Sequence, residues 1–191
     1  VDGDNLTYSI TGGSDIAAAL DGSDVSFSAP ANYNGSETFI ISVTDASEID
    51  SQSITLTVNP VNDAPVANAA SAETAEDQSV VISLSGSDID GDILTYSLNA
   101  DASSGTVTLD GSLATYTPNE NYNGDDSFTF SVSDGDYSDT ADVSVSISAV
   151  NDAPVLASVS DVSFDEDGSG NLSLSANDVD GDDLTYSISG G

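Results

Sequence analysis

Ser127-Phe-Thr-Phe-Ser-Val-Ser-Asp-Gly-Asp-Tyr-Ser-Asp-Thr-Ala-Asp-Val-Ser-Val-Ser-Ile-Ser148 is two alternating runs around a turn. Phe128, Phe130 and Val132 share one face of the first run, and Val143, Val145 and Ile147 share one face of the second. A period of two is that of a half-buried strand, and Asp134-Gly135 between the runs is a turn signal. The pair is therefore a β-hairpin with one face for a core and one for water. Outward from it, Ser79–Ser85, Leu94–Leu98, Gly105–Leu109 and Leu113–Thr117 alternate in the same way, separated by Asp110-Gly111 and Asn123-Gly124. A further strand near Val66–Ala70 makes seven short strands in about 90 residues. No segment has a helical apolar period. The expected fold is all-β, an antiparallel Greek-key β-sandwich.

The sandwich recurs. Asp90-Gly-Asp-Ile-Leu-Thr-Tyr-Ser-Leu98 has counterparts in Asp2-Gly-Asp-Asn-Leu-Thr-Tyr-Ser-Ile10 and Asp180-Gly-Asp-Asp-Leu-Thr-Tyr-Ser-Ile188. Asn32-Tyr-Asn-Gly35 returns as Asn121-Tyr-Asn-Gly124, and Val61-Asn-Asp-Ala-Pro-Val66 as Val150-Asn-Asp-Ala-Pro-Val155. The period is about 89 residues. The expected domains are a partial repeat at 1–61 lacking its first strands, a complete repeat at 62–150, and a partial repeat at 151–191 holding only first strands. Residues 1–61 should then expose strand edges and apolar faces, among them Val25, Phe27, Phe39 and Ile41. Two explanations suit the partial ends: a window on a longer repetitive chain, or a polymer built by strand addition. The duplication of 2–10 by 180–188 favours the window.

Composition narrows the chemistry. The 191 residues include 34 Asp and Glu but no Lys, Arg, His, Cys, Met or Trp, a formal charge of −34. Histidine and thiol catalysis, the usual zinc ligands and disulfides are excluded, as is a basic face for nucleic acid or anionic lipid. No apolar run is long enough to cross a membrane as a helix. Clustered carboxylates have no protein cation available, and two like charges about 4 Å apart repel by roughly 4 kcal/mol at an effective dielectric near 20. With 38% apolar residues in alternating runs, the chain is a folded protein rather than an acidic coil.

Counting strands alternately up and down places the acids. Asp88, Asp90 and Asp134 fall at the end where the chain enters the complete repeat, beside Asn62-Asp63. Glu76 and Glu120 fall at the other end, beside Asn151-Asp152, where Asp178 and Asp180 of the next repeat arrive. Each junction thus collects carboxylates, amides and carbonyls, an oxygen set suited to Ca²⁺ and less to the small octahedron of Mg²⁺.

Glu76, the Asp-x-Asp before Leu-Thr-Tyr-Ser, Asp134 and the Asn-Asp-x-Pro linkers together resemble the cadherin repeat. With Asn-Tyr-Asn-Gly and Phe-Thr-Phe-Ser-Val-Ser-Asp-Gly, the chain is similar over nearly its whole length to bacterial cadherin-like tandem repeats of large calcium-binding surface adhesins, of the RTX and biofilm type. The resemblance implies a cadherin/immunoglobulin-like sandwich with Ca²⁺ between repeats. It implies Asn62, Asp63, Asp88, Asp90 and Asp134 as ligands at one junction. At the next it implies Glu76, Glu120, Asn151, Asp152, Asp178 and Asp180. Asp2 and Asp45 would serve a junction further upstream. The first repeat has Ala31-Asn32 where the second has Asn119-Glu120-Asn121, so the first junction has one ligand fewer. Asp92 and Asp182 extend the Asp-x-Asp pattern.

These features imply a calcium-rigidified extender of an extracellular or cell-surface bacterial adhesin or fibre, serving cell adhesion and biofilm formation. Its partners would be calcium, adjacent repeats of the same chain and neighbouring copies in a filament. The alternative is a binding module whose repeats contact glycans or neighbouring chains directly. Nothing marks an enzyme: Glu76 and Glu120 lack a substrate cleft between them, Tyr96 and Phe130 alternate as core residues, and Tyr122 is placed to brace its own loop.

Overall fold

The computed structural model describes residues 5–45 and 47–190, so Asp2 lies outside the described residues. Strands are the only repeating secondary structure among them. The chain divides into two compact units. One comprises Val1–Val66, Ser87–Leu94 and Ser133–Asp139; the other comprises Ala67–Gly86, Thr95–Val132 and Thr140–Gly191.

The first unit contains β1 (Thr7–Gly12), β2 (Ala17–Asp21), β3 (Asp24–Ser28), β4 (Gly35–Thr44) and β5 (Ile49–Val58). β1, β4 and β5 form an antiparallel sheet in that order, and β2 pairs with β3 across Gly22-Ser23. Gly22 takes φ +63, the left-handed conformation that this tight turn demands. Phe39 is only 1% exposed, contrary to the expectation that its face is open. The Phe27 ring meets it edge-on at 5.1 Å, and Gly13 lies so close that an added Cβ would sit 2.5 Å from the Phe39 ring. Val25, Phe27 and Ile41 remain half-buried.

The later strands are β6 (Val66–Asn68), β7 (Ala70–Ala75), β8 (Val80–Ser83), β9 (Ser85–Ser87), β10 (Thr95–Ala100), β11 (Gly105–Asp110), β12 (Leu113–Pro118), β13 (Gly124–Ser133) and β14 (Ser138–Ser148). One sheet has the order β10-β13-β14-β7 and another β11-β12-β8. Phe128, Phe130, Val132, Val143, Val145 and Tyr116 are all at most 1% exposed, and Ile82, Leu84 and Val107 are also buried. Each such side chain contributes about 1.5–3 kcal/mol through removal from water. Tyr96 stacks on Phe130 at 6.3 Å, as a core pair.

Two expected strands are each split. Val66–Ala70 becomes β6, paired with β9, and then β7, which runs parallel to β14. Ser79–Ser85 becomes β8 and β9, broken where the Leu84 N–H donates to the Ser112 carbonyl at 2.8 Å. β15 (Val155–Leu156) and β16 (Ala176–Asn177) repeat the β6–β9 pairing. Between them, residues 157–175 form no strand, yet the turn at 165–168 is closed by Gly168 N–H donating to the Asp165 carbonyl at 3.0 Å. Its Asp167 has φ +63, matching Asp77 at φ +60 in the corresponding turn of the complete repeat.

A chain without cations must stabilise its inward-facing acids with N–H and O–H donors. Asp126 is 8% exposed and accepts from Ser103 N–H and hydroxyl, Ser104 N–H, Ser127 N–H and the Tyr116 hydroxyl at 2.8–3.1 Å. Burial pushes its pKa up, but these donors outweigh it and hold the carboxyl below the ordinary value. Glu37, 89 residues earlier, accepts from the N–H groups of Ser14, Asp15 and Ile16 and the Ser14 hydroxyl. The Asp15 N–H leads the donors that lower its pKa to about 2. The alternation pattern alone does not single out this pair.

Candidate metal centres

Each unit has one convergence of acids. In the first unit, Asp88 opens a loop that curls back because Gly91 adopts φ +82. Asp88 Oδ1 accepts from the N–H groups of Asp90 at 2.8 Å, Gly91 at 3.1 Å and Asp92 at 3.4 Å. Carboxylate oxygens of Asp88, Asp90 and Asp92 lie within 4.8 Å of one another. The linker closes over them: Asp63 N–H donates to Asp90 Oδ2 at 2.7 Å, and the Asn62 amide donates to Asp134 Oδ2 at 2.9 Å. Asp134 Oδ1 in turn caps its own turn by accepting from Asp136 and Tyr137 N–H. Asp45, the corresponding residue in the first repeat, accepts from Ser47 and Glu48 N–H in the same manner.

The second unit repeats the arrangement. Asp152 N–H donates to Asp180 Oδ2 at 2.6 Å, the Asn151 amide to the Asp152 carbonyl at 2.8 Å, and Asp180 and Asp182 N–H to Asp178 Oδ1. Glu76 is 3% exposed; it accepts from the Val150 N–H and, at 3.4 Å, from the Asn123 amide. Asp77 accepts from Asn121 N–H at 3.0 Å. Tyr122 braces its loop by donating to the Asp125 carbonyl at 2.8 Å. Glu120 is exposed on that loop, apart from these bonds. Sequence reasoning thus missed Asp77, Asn123 and Asp136. Asp77 left one signal: an acid also follows Glu166, the counterpart of Glu76, at Asp167.

Two oxygens in these clusters are buried without a hydrogen-bond partner, Asp88 Oδ2 in the first and Asp152 Oδ2 in the second. Burial, then the charges of Asp180, Asp77, Glu76 and Asp178, push the Asp152 pKa up. Burial, then Asp88, Asp90, Asp134 and Asp136, push that of Asp92 up. N–H donation from Tyr137 chiefly lowers the pKa of Asp134.

The opposed shifts predict a stability optimum on the acid side in chelator. Asp92 and Asp152 bind protons more tightly folded than unfolded, so stability rises as pH falls through their raised values above 3.8. Glu37, Asp45, Asp126 and Asp134 do the reverse, and their contribution is lost as pH falls below their ordinary values, down to about 2 for Glu37. Denaturant midpoints measured across pH in chelator should therefore rise and then fall on acidification. A midpoint falling steadily from neutral pH would contradict the repulsion.

Similarity to known proteins follows the sandwich. Residues 62–146 match the bacterial Ig domain. The structure is also similar to protocadherin gamma B7 extracellular cadherin domains 1–4, with TM-score 0.54 and 16% identity over 90% of this chain and 50% of that one. Human protocadherin-24 EC1-2 aligns with TM-score 0.50 and 19% identity over 77% of this chain and 83% of that one. An endo-fucoidan hydrolase from glycoside hydrolase family 107 aligns at TM-score 0.39 and 22% identity over 78% of this chain, which spans 24% of the hydrolase's length. No curated protein matches the chain. The fold is an immunoglobulin/cadherin-like β-sandwich, an architecture that is typically extracellular and non-enzymatic. No helix among the described residues is long and apolar enough to cross a membrane.

Proposed function

We propose that both acidic centres bind Ca²⁺ and that the chain is a calcium-rigidified extender of a bacterial surface adhesin or extracellular fibre. The observation that carries this reading is the pair of buried, unpartnered carboxylate oxygens, Asp88 Oδ2 and Asp152 Oδ2, each set among other acids in a chain without cations. A hard divalent cation supplies both the missing partner and the missing charge. The donors suit it: in the first centre Asp63, Asp88, Asp90, Asp92 and Asp134, with Asn62 through its amide oxygen; in the second Glu76, Asp77, Asp152, Asp178 and Asp180, with Asn151. Glu120 is near enough in sequence to join through a loop shift. Calcium bound where linker and loops meet would stiffen a repeat array, and an array of near-identical repeats suits a spacer better than a dedicated receptor.

Calcium titration calorimetry tests the binding directly. The unaltered chain should take up calcium, and Asp152→Ala should weaken uptake at the second centre by at least about tenfold. Because the first centre has fewer donors, Asp152→Ala should also shorten the scattering-derived length in calcium more than Asp63→Ala does. Absence of uptake at millimolar calcium would overturn the proposal.

A further inference from the structure

The first centre lacks what the second has in Glu76, an acid reaching in from the turn between a sandwich's first two strands. Within the described residues the same gap appears as open strand edges. In the complete repeat, β14 is covered by β7 and β12 by β8. Their counterparts β5 and β3 are outermost in their sheets. The consequence is measurable in burial. Val143, Val145 and Ile147 are at most 4% exposed, whereas Ile54, Leu56 and Val58 are only half-buried.

The chain also carries an unused copy of the covering strands. Residues 159–174 correspond to 69–84: Glu166-Asp167 stands for Glu76-Asp77, Leu172-Ser-Leu174 for Ile82-Ser-Leu84, and Val162 and Phe164 for Ala72 and Thr74. They form no strand, and Val162, Phe164 and Leu172 are 44%, 63% and 52% exposed. Their turn is nonetheless already set, as the Asp167 conformation and the Gly168–Asp165 bond show.

We propose that residues 159–174 of one copy complete the β5 and β3 edges of a second copy, and that Glu166 thereby supplies the carboxylate missing from the second copy's Asp63/Asp88/Asp90 centre. The register follows from the complete repeat. Val145 beside Ala72 becomes Leu56 beside Val162, and Ile147 beside Thr74 becomes Val58 beside Phe164, in parallel. Ala114 beside Ile82 becomes Val25 beside Leu172, antiparallel. Val150 N–H, which donates to Glu76, becomes Val61 N–H donating to Glu166. Alternation directs Val162, Phe164 and Leu172 inward onto the half-buried faces, which favours docking through apolar burial. The duplicated segment at 184–188 presents no obstacle: it forms no strand, and β1 already occupies its place in the acceptor. Two chains of charge −34 repel, so the association should require calcium. The metal part of this proposal rests on the calcium reading above; the strand register does not.

Because the chain has no Cys, single cysteines report the register cleanly. Leu56→Cys and Val162→Cys chains, mixed in millimolar calcium and mildly oxidised, should give a species at twice the 19.2 kDa chain mass. The yield should exceed that of Thr55→Cys with Val162→Cys, whose side chains point to opposite faces, by at least about fivefold. Adding Phe164→Asp should abolish the difference. Equal yields for the two pairs, or no cross-link at high protein concentration, would overturn the docking. Calcium uptake measured on the same mixtures separates the two ideas. Uptake without cross-linking sinks only the docking, and cross-linking without uptake sinks the calcium reading and the role of Glu166 while leaving the register standing.

Discussion

Chelation should lower the thermal midpoint of this chain by about 10 °C or more relative to saturating calcium. A ligand present at a hundred times its dissociation constant stabilises the folded state by about 2.7 kcal/mol per site, provided it ignores the unfolded chain. Two centres are available, and each gathers acids whose mutual repulsion raises a carboxyl pKa, at Asp92 in one and Asp152 in the other. The unfolded chain disperses those charges and binds calcium weakly, so the gain belongs to the fold. Differential scanning calorimetry in chelator, magnesium and calcium would measure it. The expected order is calcium well above magnesium, because magnesium holds its waters and demands a small octahedron. Equal midpoints in calcium and chelator would remove the basis for the proposed function, whatever the sequence resembles.

The second large effect lies away from both centres. Asp126→Ala should cost about 3 kcal/mol or more, because it leaves several buried donors without an acceptor, the Tyr116 hydroxyl among them. The adjacent Asp125→Ala is an internal control. Asp125 is exposed, and the bond it receives from Tyr122 is at its backbone carbonyl, so its loss should stay within about 0.5 kcal/mol. Denaturant midpoints with and without calcium would give both values. The Asp126 loss should be the same in each condition, since this carboxylate is neutralised by N–H and O–H donors rather than by a metal. A loss no larger than that of Asp125→Ala would show that the loop at 103–104 holds without its anchor.

The sandwich was legible in the alternation at 127–148, because a strand's two-residue period decides which side chains can share a core and which must face water. The acids were legible in part. Counting strands brought Asp88, Asp90 and Asp134 to the Asn62-Asp63 linker, and their loop and linker bonds are present in the structure. Glu120 was expected beside Glu76 on the same count, but its loop turns it to solvent and presents the Asn121 N–H and the Asn123 amide instead. A left-handed residue, Asn121 at φ +57, redirects that loop, and spacing alone does not encode the direction.

By itself, then, the sequence determined the strand content, the period of about 89 residues, the exclusion of cationic, thiol and imidazole chemistry, and the clustering of acids near Asn-Asp linkers. These are properties of local pattern and composition. Only the tertiary structure decided that β7 crosses to run parallel to β14, that Glu37 and Asp126 anchor loops through N–H groups, and that Asp88 Oδ2 and Asp152 Oδ2 are buried without partners. Each of those depends on contacts between residues far apart in the chain. Which edge a strand joins and which oxygen goes unpaired are settled by packing geometry, where a single φ or a split strand redirects a side chain that sequence pattern places only on a face.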